Sequence, residues 1–143
     1  MIALQIAIGA FVLMELSNVL IMYFKPDFKY GNSMRTFKGW EESKEDEKSH
    51  LFVKYMVNWV ANCKLIFILL LIVVLIVNNE TVMMWAVETT IISIGIYFFS
   101  LYPIIRKLDK MEKIEPKGYS KTLSYMIFGF MAMFLVALAV YLI

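Results

Sequence analysis

Two glutamates, Glu15 and Glu88, stand inside long apolar runs of this chain. A carboxylate in such a place suits binding a proton or a cation, because hydrocarbon offers an unpaired ion no compensation. Desolvation disfavours the charged form and raises a carboxyl pKa, so proton uptake near neutral pH can be traded against cation binding. The other reading is a protonated, hydrogen-bonded carboxyl that holds helices together. Phe11, Glu15, Asn18 and Met22 share one helical face. Counted from Phe24, Glu15 lies about 13 Å below the end of its run, near a bilayer midplane. Glu88 is shallower, about 9 Å in from Val82, where an outer relay or a structural carboxyl both fit.

A second polar series, His50, Lys54, Asn58 and Asn62, repeats every fourth residue. Asn58 and Asn62 are expected to join Asn18 as uncharged ligands beside Glu15, and His50 to be solvated at the surface. Lys64 falls almost opposite Asn62 on the helical wheel. It has two readings, an ion-pair partner for Glu15 or a long side chain snorkelling to the interface, and its shallow depth favours the second. Glu88 shares a face with Thr81, Trp85, Ile92, Gly95 and Phe99. Two small-residue stripes, Thr89, Ser93, Ile96 and Ser100, and Tyr125, Gly129, Ala132, Val136 and Ala139, read as close-packing faces. Cys63 reads as an apolar filler, and the methionines as packing residues without the clustering a soft metal needs.

The elements that position these groups are four apolar stretches, about 2–24, 56–77, 82–105 and 122–143. Each is long enough to cross a bilayer, since about 20 apolar residues span about 30 Å. The chain has 143 residues, is 61% hydrophobic and has mean hydropathy +0.70. That is well above the roughly 45–50% apolar content of soluble domains. The expected fold is therefore an all-α integral membrane protein, a single domain of four transmembrane helices located in the cell membrane as a multi-pass protein. The first stretch lacks a basic start and a small-residue cleavage pattern, so it is expected to remain as a helix.

One cysteine excludes an internal disulfide, and one histidine leaves no closed zinc or bis-histidine haem site. No P-loop, GxSxG or HExxH motif is present. No metal, cofactor or nucleic-acid partner is expected, and an enzyme reading has no motif behind it.

Basic residues gather in segments 25–50 and 106–121, while Asn78–Thr81 has none. Short loops rich in Lys and Arg stay cytoplasmic, which predicts both termini outside and both basic loops inside. Within 25–50, Phe28, Tyr30, Phe37 and Trp40 alternate with Lys29, Arg35 and Lys38, with turn signals at Gly31-Asn32 and Gly39. Arg35, Lys38, Trp40, Arg106 and Lys107 are the expected headgroup contacts. Glu41 to Lys44 and Glu45 to Lys48 are spaced to pair along a helix. The second helix is accordingly expected to begin near Glu41 and run unbroken to Val77, its first turns extending into the cytoplasm. Residues 106–115 are expected to continue the third helix outward, up to the break at Pro116 and Gly118.

The run Ile8-Gly9-Ala10-Phe11-Val12-Leu13-Met14-Glu15 resembles the first helix of the small multidrug resistance exporters. Those are four-helix proteins that work as dimers, with a first-helix glutamate that binds protons and cationic substrates in turn. The resemblance implies that role for Glu15. It covers about one helix. The long charged first loop and strong charge bias depart from that family and argue against dual insertion and an antiparallel dimer.

The expected function is a small homo-oligomeric transporter or channel for a cation, a proton or a small polar solute, with Glu15 as the binding and protonation site. One alternative is a lipid-binding protein or an enzyme acting on a lipid headgroup at the cytoplasmic face. Another is a non-catalytic subunit that docks a soluble partner through 41–50. Membrane lipids are partners in every case.

Overall fold

A computed structural model describes residues 1–28 and 33–143. Lys29, Tyr30 and the Gly31-Asn32 turn of the aromatic segment lie outside the described residues. Among the described residues, seven α-helices follow in order: α1 Ile2–Phe24, α2 Lys38–Ser43, α3 Glu47–Val77, α4 Glu80–Gly95, α5 Tyr97–Ser100, α6 Tyr102–Lys110 and α7 Tyr119–Leu142, with a 3₁₀ turn at Met34–Thr36. Four stretches of helix are long and apolar enough to cross a membrane: Ile2–Phe24, Glu47–Val77, Glu80–Lys110 and Tyr119–Leu142.

Local chemistry sets the boundaries. The first helix stops at Lys25, before Pro26, which cannot extend it. The second long helix starts at Glu47 rather than near Glu41. Asp46 is extended and its carboxylate accepts from the backbone N–H of Ser49 at 2.9 Å and from the Ser49 hydroxyl at 2.6 Å. That cap begins a new helix and leaves Glu41 in the separate, short α2. Glu41 does pair with Lys44, at 3.0 Å. Glu45 and Lys48, placed on either side of the new N-terminus, form no ion pair. Asn78 then adopts the left-handed conformation that ends α3, and Asn79 caps α4 by accepting from Val82 N–H at 3.1 Å.

The third apolar stretch is interrupted at Ile96 and Leu101, both of which keep right-handed helical angles. Pro103 has no N–H to give the Phe99 carbonyl, and the chain re-forms as α6 after Leu101. It continues outward, as expected, but only to Lys110. Gly118, at φ +86°, makes the left-handed entrance to α7.

The core lies where α1 meets α3, α4 and α7. Leu4, Ile8 and Phe11 of α1 pack with Ile68 and Leu71 of α3, Met83 and Val87 of α4, and Phe134 and Ala137 of α7. Phe11 is its centre. Its ring meets Phe67, Phe130 and Phe134 edge-on, at centroid distances of 6.2, 5.2 and 5.3 Å. Such edge contacts align a positive ring edge with a negative face.

The two basic segments are clipped together at one end of the bundle. Lys38 N–H donates to the Lys113 carbonyl at 2.9 Å, and Glu115 N–H donates to the Thr36 carbonyl at 2.8 Å. A second small core of Ile105, Ile114 and Tyr119, with Phe37 and Leu123 against it, backs this clip.

Candidate functional site

Each of the two longest-facing helices carries one ionisable residue in its core-facing stripe. On α1 that stripe runs Leu4, Ile8, Phe11, Glu15, Val19 and Met22; on α3 it runs Val57, Ala61, Lys64, Ile68 and Leu71. The helices run antiparallel, and the fully buried Ala61 keeps α3 small beside Lys64. Glu15 and Lys64 therefore meet. The Lys64 ammonium donates to Glu15 Oε2 at 2.7 Å and to Asn18 Oδ1 at 2.8 Å. The Glu15 side chain remains 20% exposed and that of Lys64 31%, so the pair sits at the rim of the α1–α3 seam. The snorkelling reading of Lys64 is overturned: its stem bends to α1 because a carboxylate and an amide oxygen await it there.

Further polar contacts follow the same seam. Tyr23 donates to Asn62 Oδ1, and near the opposite end Gln5 Nε2 donates to Asn78 Oδ1 at 2.6 Å. Glu15, Asn18 and Asn62 thus belong to one line of polar groups. Asn58 does not reach it. It lies half-buried about 9 Å along the axis from Lys64, toward the loops, and its side chain makes no hydrogen bond among the described residues. The four-residue polar series of α3 is not a continuous stripe in function. Lys54 is exposed, and His50 turns toward α2.

Glu88 is not brought to Glu15. The core side of α4 is Met83, Val87 and Thr90, whereas Trp85, Ile92 and Phe99, which share the face of Glu88, are exposed. No described polar residue pairs with it. The two small-residue stripes lie largely outside the packing of this chain, with Ala132 alone of the named residues half-buried. Thr89, Ser93, Ile96 and Ser100 are all exposed, as are Tyr125, Gly129, Val136 and Ala139. Thr89 and Ser100 return their hydroxyl protons to their own helix, at the carbonyls of Trp85 and Ile96. Cys63 is exposed rather than a core filler.

At the loop end, Trp40 departs furthest from expectation. It is 4% exposed, and its indole N–H donates to Asp27 Oδ1 at 2.6 Å. It is an anchor for the loop, closed to any headgroup. The same Asp27 oxygen accepts from Lys44 at 2.7 Å. The Lys44 hydrogen bond, then that of Trp40, hold the Asp27 carboxyl below its ordinary 3.8. Lys44 is pushed above its ordinary 10.5, chiefly by Asp27.

His50 is half-buried and held by the loop rather than freely solvated. Its ring lies 4.9 Å from that of Trp40, and its Nδ1 is 3.0 Å from the Ser43 hydroxyl. That hydroxyl gives its proton to the Trp40 carbonyl at 2.7 Å. Ser43 Oγ must therefore accept from His50, which assigns the ring proton to Nδ1.

Arg35 and Lys38 border a shallow groove of about 820 Å³ with Asp27, Glu41, Lys44 and Glu115. Lys38 pairs with Glu115 at 3.4 Å and Lys113 with Glu42 at 2.6 Å. Arg106 and Lys107 lie elsewhere, with Pro103 and Lys110 around a depression of about 320 Å³ on α6.

Asp109 is the buried acid that hydropathy and periodicity pass over. It accepts from Gly118 N–H at 2.9 Å, Ser120 N–H at 3.1 Å and the Ser120 hydroxyl at 2.6 Å. It caps α7 from across the loop, and the only trace in the sequence is an acid upstream of a Gly-x-Ser pattern. Among the described residues, no group of three or more His, Cys, Asp or Glu could hold a metal ion.

The structure is a helical bundle with four stretches of helix long and apolar enough to cross a membrane, and a lysine–glutamate pair at the seam of two of them. Comparison with protein-family models, curated proteins and solved structures finds no match for this chain.

Proposed function

We propose that the protein is a multi-pass membrane transporter for a cation, coupled to or competing with a proton, and that Glu15 and Asn18 form its binding site. One observation supports this above the rest: the Lys64 ammonium rests between Glu15 Oε2 and Asn18 Oδ1. A carboxylate and an amide oxygen converging on a cationic nitrogen are the donor set a transported cation needs. Lys64 acts as a tethered stand-in. An arriving cation takes the place of the ammonium between the two oxygens while Lys64 swings aside with its charge, and a proton on Glu15 then releases the bound cation.

The charge distribution supports a topology with both termini outside and the clipped loops in the cytoplasm. The exposed small-residue faces of α4 and α7 support a homo-oligomer, since small residues permit close helix approach.

The test is flux in proteoliposomes carrying a proton-sensitive dye, with Na⁺, K⁺ or guanidinium supplied outside. Wild-type protein moves at least one of these ions or protons, and Glu15→Gln abolishes the movement while leaving helical content unchanged. Equal flux in the variant removes Glu15 from the mechanism.

A further inference from the structure

The outer surface of α6 joins two chemistries that are separate elsewhere in the chain. Approaching it along α4 and α5, the exposed side chains on the same side are apolar: Phe99 is 87% exposed, with Ile96 and Ile92 also exposed. Immediately beyond, Arg106, Lys107 and Lys110 project around the depression beside Pro103. Spacings of three and four residues keep Pro103, Arg106, Lys107 and Lys110 on one side of the helix. Ile96 and Leu101 keep right-handed helical angles and Ile105 N–H still donates to the Leu101 carbonyl, so the same side runs back through Phe99, Ile96 and Ile92.

None of these cations is neutralised. No described carboxylate lies within ion-pair distance of Arg106, Lys107 or Lys110, although Lys38, Lys44, Lys64, Lys113 and Lys117 all have one. The acids closest in sequence are committed: Asp109 to Gly118 and Ser120, and Glu112 to Lys117 at 3.0 Å. Lys107 and Lys110 also stand in the last turn of α6, where the helix dipole favours positive charge. The patch is thus an uncompensated cationic cup bordering an apolar surface of acyl-chain character.

We propose that this cup binds the phosphate-bearing headgroup of an anionic phospholipid, its acyl chains lying along Phe99, Ile96 and Ile92. The Arg106 guanidinium is suited to bidentate contact with phosphate oxygens, and the two ammonium groups add point charges. This rests on the four apolar helices spanning a bilayer and is independent of any role for Glu15. It also separates the expected headgroup residues: Arg106 and Lys107 belong to the lipid site, while Lys38 is paired and Trp40 is buried.

The experiment measures lipid retention by native mass spectrometry, and thermal unfolding, of the full chain in neutral detergent. The probes are phosphatidylglycerol, phosphatidylcholine of the same acyl chains, and inorganic phosphate. The variants are the triple Arg106→Gln/Lys107→Gln/Lys110→Gln and the single Lys107→Glu, with Lys48→Gln/Lys54→Gln as a control elsewhere. Wild type and control retain phosphatidylglycerol over phosphatidylcholine and are stabilised by it. The triple variant, unfolding at the wild-type temperature without lipid, loses affinity on the order of a hundred-fold, at about five-fold per cation removed. Lys107→Glu loses at least as much as one neutralised cation. Full selectivity in the triple variant, equal retention of phosphatidylcholine, or the same stabilisation by inorganic phosphate overturns the proposal.

Discussion

Lys64 and Glu15, separated by 49 residues in sequence, touch at 2.7 Å across the seam of two antiparallel helices. Each occupies a place in its helix that an aliphatic residue would otherwise fill. An ion pair in this setting is costly to break from one side only, because the remaining charge loses its compensation. Lys64→Met is therefore expected to lower stability by roughly 3 kcal/mol. Replacing both, in Glu15→Leu/Lys64→Leu, restores most of the loss while abolishing ion flux. Thermal unfolding in detergent and proteoliposome flux, read together, separate the structural share of the pair from the transport role.

Ala61 controls how closely α1 approaches that pair, being fully buried one turn before Lys64. Ala61→Leu should cost about 1–3 kcal/mol, the usual penalty for overfilling a packed seam. It should also lower flux, because the wider seam draws Asn18 and Glu15 away from Lys64. A variant of wild-type stability and flux would show that the close approach is dispensable.

Asp27 supplies a pH dependence at the loop end. Its folded carboxyl is held below the ordinary 3.8 by Lys44 and Trp40. A depressed folded value means the stabilisation is complete well above 3.8 and is lost as pH falls through the folded value. Asp27→Asn should consequently melt below wild type at pH 7, and the two curves should converge as the medium is taken below pH 3.8. A difference that persists unchanged in acid would show that the contact acts without its charge.

Asp109 pins the start of α7. Asp109→Ala leaves Gly118 N–H and the Ser120 backbone and hydroxyl donors without their acceptor. A loss of about 2 kcal/mol is expected, with faster hydrogen exchange confined to residues 118–122. Asp109→Asn keeps an acceptor and should lose less. Exchange rates unaltered in Asp109→Ala would rule out the cap.

The apolar stretches were legible because their length and hydropathy leave one economical arrangement, and α1 begins and ends where the sequence indicates. The start of α3 was not, because charge pairing along Glu41–Lys48 obscured the Asp46 cap. Glu15 and Asn18 stood out as polar groups in an apolar helix. Its position opposite Asn62 hides the role of Lys64, which is legible instead from Val57, Ala61, Ile68 and Leu71, the buried face it shares. Asn62 still reaches α1 because Tyr23 is long enough to meet it. Trp40 could not be placed from sequence: an aromatic beside lysines suits a headgroup layer equally well, and only the fold brings Asp27 to its indole.

Phe11 lies one helical turn from Glu15, on the side away from the clipped loops, and is wedged among Phe67, Phe130 and Phe134. Under the transport reading, an ion admitted from the loop-bearing side would meet a dead end of four rings drawn from three helices. Onward passage then becomes a matter of valve opening, in which α1 and α7 must slide apart before the cargo can leave, so the slow step would belong to the aromatics and not to the carboxylate.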